Sequence, residues 1–137
     1  MAAQLLLRLY HIAGNEDYRV RAETILRSYY DPMASQPFGF AHMLCALDWY
    51  LHPSKEIVVV GKNDDLRTAD LIKEIHSVYL PNKVLQLVDP DQPLENISPL
   101  LAGKTQIDGR PTVYVCQNFT CSAPVTNRAG LKPLLEN

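Results

Sequence analysis

Charge imbalance, cysteine and long apolar runs are all scarce in this sequence, and each scarcity removes a class of function. Lys and Arg number 13 against 15 Asp and Glu, a formal net charge of −2 over 137 residues. So balanced a chain has no field with which to steer a polyanion, and nucleic acid is not an expected partner. The longest uncharged run, Pro32 to Leu47, is interrupted by Pro37, Gly39 and His42. It falls short of the ~20 apolar residues that cross a bilayer, so no membrane partner is expected. The amino end has neither a charged n-region nor a small-residue cleavage site, and nothing there reads as a secretory signal. The 3 cysteines do not make a disulfide framework, and a reducing cytoplasm is the expected compartment. Two triplets, Asn96-Ile97-Ser98 and Asn118-Phe119-Thr120, then read as chance matches to the glycosylation pattern. His11, His42, His52 and His76 are scattered, with no carboxylate cluster among them, so neither a metal nor a cofactor is expected.

What is present is a folded α/β chain, 47% hydrophobic and 20% charged, ordinary values for a globular protein. The pattern changes near Leu51-His52-Pro53-Ser54, which divides the chain into a helical segment, 1–52, and a small α/β subdomain, 53–137. Before the boundary, Leu5, Leu6, Leu9 and Ile12 recur at helical spacing, Gly14 can close that helix and Asn15 can open the next. The second helix runs from about Glu16 to Tyr30, and a turn over Asp31–Pro37 leads to a third that carries Phe40, Met43, Leu44, Leu47, Tyr50 and Leu51. The first helix is apolar nearly all round and needs partners on more than one side. Leu5, Leu6, Leu9 and Tyr10 are expected to leave an apolar patch through which the chain self-associates as a homo-oligomer.

After the boundary, Glu56-Ile57-Val58-Val59-Val60-Gly61 is a continuous β-branched run, the mark of a strand covered on both faces. A helix over 65–80, with Ala69, Ile72, Ile75 and Tyr79 inward, ends at Pro81, and Val84–Val88 forms the next strand. Strand, helix and strand within some thirty residues read as a right-handed parallel crossover. The segment from Asp89 to Asp108 reads mostly as loop, with one helical turn at Ile97–Leu101. Thr112–Cys116 makes a third strand and Ala129–Leu135 a closing helix. The expected sheet is three-stranded and parallel, with the first strand central.

Plain roles fit most candidate sites. Gly61-Lys62-Asn63-Asp64-Asp65 lies where a phosphate-binding turn would lie, but it has one glycine and two aspartates, and Asp64 or Asp65 is expected as a helix cap. His42 is expected to be packed and hydrogen-bonded. Asp48, beside Trp49 and Tyr50, is a weak sugar-pocket candidate set against a solvated helix face. Cys45 falls between apolar neighbours and is expected in the core.

Cys116 and Cys121 are the redox candidates. They bound a loop after a strand, in a Cys-x4-Cys spacing that is neither the redox Cys-x-x-Cys nor half of a zinc site. Free cysteine packs well in cores; a reactive thiol needs a nearby cation or helix N-terminus to lower its pKa. Asn118 tolerates turn conformations, so the loop can fold back. Both thiols are expected reduced, at the carboxyl edge of the sheet near Gly61-Lys62, with Cys116 the more buried.

The strand, the Cys-x-Asn-x-x-Cys loop and the following Pro124 resemble the C-terminal signature of spermatogenesis-associated thioredoxin-like proteins and their bacterial YyaL-type relatives. The resemblance covers most of the chain, since the helices, the Glu56–Gly61 strand and the Cys116–Pro124 loop follow the family's order. Only the cysteine loop is a specific motif. The resemblance implies an N-terminal thioredoxin-like domain and a toroid of helical hairpins, of which the three helices of 1–52 would be the end. It implies a redox or carbohydrate-related role for the whole protein, with the remainder of that protein as the partner. The other reading is a non-catalytic docking module that caps the toroid.

Overall fold

The computed structural model describes residues 1–92 and 98–136. Asn96 and Ile97, of the first glycosylation-type triplet and of the expected Ile97–Leu101 turn, lie outside the described residues. The chain forms two compact units, Met1–Ser54 and Lys55–Asn137.

In the first unit, α1 (Ala2–Ala13) and α2 (Glu16–Ser28) are joined by a tight corner. Gly14 takes the left-handed conformation, φ 66°, and its N–H returns to the Tyr10 carbonyl at 2.8 Å. A side chain there would be strained, which is why glycine suits a helix stop of this kind. Asn15 then caps α2 by accepting the Asp17 N–H at 3.0 Å. The expected Asp31–Pro37 turn is instead a short helix, α3 (Tyr30–Ser35), followed by a 3-10 turn, Pro37–Phe40, that leads into α4 (Ala41–Leu51).

The inward stripe of α1 is only part of its apolar surface, and Leu5 lies in the patch expected to be exposed. Ala3, Leu7 and His11 are buried at four-residue spacing, whereas Leu5 is 58% exposed and Leu6 and Leu9 are half-buried. Positions 5, 6, 7 and 9 are all leucine, so hydropathy alone could not select which of them face inward. Its neighbours in the packing are Leu26 and Ala46, with Ile25, Met43, Leu47 and Tyr50 around them. His11 is the packed histidine: its Nε2 lies 2.7 Å from the buried Ser54 hydroxyl, and its ring stacks on Trp49. His42 and Cys45 are exposed, contrary to expectation, because α4 turns Ala46 and Trp49 inward.

In the second unit, a mixed sheet has the order β2-β1-β3-β4, formed by β1 (Lys55–Val60), β2 (Lys83–Val88), β3 (Thr112–Gln117) and β4 (Thr120–Cys121). The α/β class holds, and β1 is central with β2 parallel to it. The all-parallel, three-stranded sheet does not hold: β3 runs antiparallel to β1. The physical reason lies in the connections. The helix α5 (Leu66–Ser77) carries the chain back along the sheet between β1 and β2. Between β2 and β3 the described chain has only a 3-10 turn, Pro99–Leu101. Thr112 opposes Val60, and Val60 opposes Val88, so β3 starts at the end of the sheet where β2 stops. A parallel return needs a crossover long enough to span the sheet.

One face of the sheet, Ile57, Val59, Val113 and Val115, packs on α5 and on α6 (Arg128–Glu136) through Leu71, Ile75, Leu131 and Leu135. Ala69 and Tyr79, expected inward on α5, are exposed; Thr68, Leu71 and Ile75 form the buried stripe. The other face, Val58 and Val60, packs on Leu100 and Leu101 with Tyr114 beside them. At the far end of β1, Asp65 caps α5 by accepting the Arg67 N–H at 2.8 Å.

Candidate functional site

The reversal of β3 moves the cysteines. Cys116 opposes Glu56, at the start of β1, while Gly61-Lys62 stand at the other end, about five residues or roughly 17 Å along the strand. Lys62 instead pairs with Asp91 at 2.6 Å. The cation beside the cysteines is Lys55, which lines the same recess. Its amine donates to the Leu134 carbonyl at 2.6 Å, and burial lowers its pKa.

The two sulfurs are bonded, which corrects the expectation of reduced thiols. Asn118 and Phe119 both have positive φ, 50° and 60°, as the central pair of a two-residue hairpin turn requires. This turn sets Gln117 against Thr120 and Cys116 against Cys121, with the cysteine Cα atoms 3.8 Å apart. Asparagine at such a turn is legible in sequence; phenylalanine is not, because a bulky residue rarely takes positive φ.

Burial divides the pair. Cys116 is 1% exposed, whereas Cys121 is exposed at the sheet edge. Residues Cys116 and Cys121 take part in lining a recess of about 380 Å³ together with Lys55, Gln117, Thr120, Ser122 and Leu134.

Sequence reasoning missed Glu56. Its side chain is fully buried, on the first residue of the apolar run. Oε2 accepts the Phe119 N–H at 2.9 Å, holding the hairpin turn against β1. The signal was a carboxylate inside a strand covered on both faces, where an ionisable group needs partners. Lys104 is near enough to feel it. Burial lowers the Lys104 pKa, and the Glu56 charge offsets part of that effect.

The other candidates do not converge. Asp48 binds His52, at 2.9 Å between Oδ1 and Nδ1, and Trp49 is buried against Arg8 and His11. Asp48 and Trp49 therefore do not line one sugar pocket. Among the described residues, no group of three His, Cys, Asp or Glu side chains is placed to hold a metal ion. No helix of the described residues is long and apolar enough to cross a membrane.

This cysteine hairpin on a mixed sheet can be compared with known proteins. The chain is similar to spermatogenesis-associated protein 20. It is 34% identical to the Homo sapiens protein and 33% to that of Rattus norvegicus, each over 98% of this chain and 17% of the relative. An uncharacterized Caenorhabditis elegans protein is 27% identical over 91% of the chain. The chain thus spans about a sixth, 17%, of the length of these curated relatives. No family model matches it, and no solved structure does.

Proposed function

We propose that this chain is the C-terminal α/β piece of a larger thioredoxin-like, helical-toroid protein, and that Cys116 and Cys121 form a thiol–disulfide exchange site within it. The observation that carries the redox reading is a disulfide that joins a buried residue, Cys116, to an exposed one, Cys121. Exposed disulfides are the labile, regulatory or catalytic ones. In a cytoplasm, where this reading places the protein, disulfides are usually transient and catalytic or redox-sensing. Similarity to the C-terminal part of the much longer relatives supports membership of a larger protein. The carbohydrate reading has less support, since Asp48 is paired with His52 on its own helix end.

The exchange balances without a cofactor. The Cys121 thiolate attacks a partner disulfide; the partner's S–S bond breaks and a mixed disulfide forms. Cys116 then loses its proton to solvent and attacks the Cys121 sulfur. The internal disulfide re-forms, the partner's second sulfur leaves and takes up a proton, and the partner has gained two electrons. The reverse sequence oxidises a dithiol.

Replacing Cys116 by serine in a Cys45→Ser background should trap this intermediate. With oxidised glutathione, the variant is expected to gain one stable glutathione on Cys121, read by intact mass. The chemically reduced protein with both cysteines should return to the internal disulfide with no glutathione retained. A Cys116→Ser variant that gains nothing would remove the exchange reading.

A docking module is the second reading, and the helical unit favours it. Leu5, Tyr30 and Leu51 are 58%, 64% and 63% exposed and Phe38 is 99% exposed, apolar area that suits contact with the remainder of a longer protein or with a second copy.

A further inference from the structure

Glu56, Cys116 and Cys121 stand in one row across three strands. Glu56 opposes Cys116 in the β1–β3 register, and Cys116 opposes Cys121 in the β3–β4 register. Directly opposed residues share a sheet face, with Cβ atoms about 4.5–5.5 Å apart. The carboxylate is fully buried and Cys116 almost so, so little solvent screens one from the other. Cys121 is one strand further away and exposed.

We propose that Glu56 assigns the roles within the pair: its carboxylate holds reduced Cys116 as the protonated, resolving thiol and leaves Cys121 as the nucleophile. This rests on the exchange reading above and deepens it. A negative charge beside a thiol disfavours the thiolate, and desolvation acts in the same direction. Both fall on Cys116. Two cations oppose them: Lys104, which feels the Glu56 charge and lies 5.6 Å from the Tyr114 ring centroid on the same face, and Lys55, which lines the recess. The Lys55 amine is engaged by the Leu134 carbonyl at α6, and its position next to Ile57 in strand alternation puts it on the face opposite the row. Tyr114 itself donates to the Thr105 carbonyl at 2.8 Å and adds no charge. The carboxylate also accepts the Phe119 N–H, so it fixes the turn that brings the two sulfurs together. Glu56 is a positioning residue in this sense, acting on the reacting sulfur through field and geometry.

The pH dependence of alkylation tests this in the chemically reduced, folded chain carrying Cys45→Ser. Peptide mass spectrometry reads Cys116 and Cys121 separately. Glu56→Gln keeps an oxygen that can accept the Phe119 N–H and removes the charge. It is expected to lower the half-maximal pH for Cys116 by about one unit, a tenfold change in thiolate fraction at neutral pH, and to leave Cys121 nearly unchanged. Glu56→Asp should retain the original Cys116 profile, which a purely steric role would not predict. Lys104→Met should move Cys116 the other way, and it tests the same field if Glu56→Gln does not fold. Superimposable Cys116 profiles in the parent, Glu56→Gln and Lys104→Met proteins would overturn the proposal. Because the thiols are reduced beforehand, that failure is distinct from a failure of exchange, which the Cys116→Ser trap reads.

Discussion

Alanine at position 75 is expected to lower the unfolding free energy of the α/β unit by about 3 kcal/mol, within the range for removing a buried isoleucine. Ile75 is fully buried and sits in the cluster that joins α5 and α6 to the sheet, against Ile57, Val113 and Leu131. Truncation removes three carbons from a layer built by both helices, so the site cannot collapse without moving one of them. Urea unfolding followed by circular dichroism would measure the loss, with the fluorescence of Trp49 reporting the other unit. Tyr79→Ala is the matched control: the side chain is 89% exposed, and the change should fall within about 0.5 kcal/mol. Equal losses at the two positions would mean that the inward face of α5 is misassigned.

A methyl group at Gly61 should be the second costly change. A Cβ there would overlap Thr68 Oγ1 and stand 3.2 Å from both Thr68 Cγ2 and Pro111 Cβ. Thr68 is buried on α5, with no hydrogen-bond partner for its hydroxyl among the described residues, and the glycine lets helix and strand approach closely. Overpacking of this kind costs about 1–3 kcal/mol. Thr68→Ala removes both threonine contacts, and the Gly61→Ala, Thr68→Ala double variant should therefore be more stable than Gly61→Ala alone. Such non-additivity is expected of residues in contact. Strictly additive losses would show that the crowding lies elsewhere.

Local signals were legible in the sequence. Gly14, Asn15 and Asp65 mark helix ends because each acts on backbone groups within a few residues. The apolar run 57–60 announced a strand covered on both faces, and it is one. Strand direction was not legible. An apolar run has the same composition in either orientation, and the decision lay in how far the 89–111 connection travels. The antiparallel direction of β3 is what sets Cys116 against Glu56 at the start of β1 and not beside Gly61. On α5, Thr68 is buried although threonine is polar, and Tyr79, expected inward, lies beyond Ser77, where the helix ends. In the sequence, Glu56 is simply the residue that opens the apolar strand run. Its partner is the Phe119 backbone, 63 residues away, and no local pattern announces such a contact.

The central claim is that Cys116–Cys121 is an exchanging disulfide, and a redox titration of the folded chain with a thiol couple tests it most directly. The closed loop is short, so its cross-link stabilises the fold by only about 2 kcal/mol in the chain-entropy account. Reduction should therefore leave the circular dichroism spectrum unchanged, with a midpoint above the roughly −300 mV below which structural disulfides lie. A bond that stays oxidised at more negative potentials, or that breaks only as the protein unfolds, would contradict the account and leave the hairpin with a structural staple.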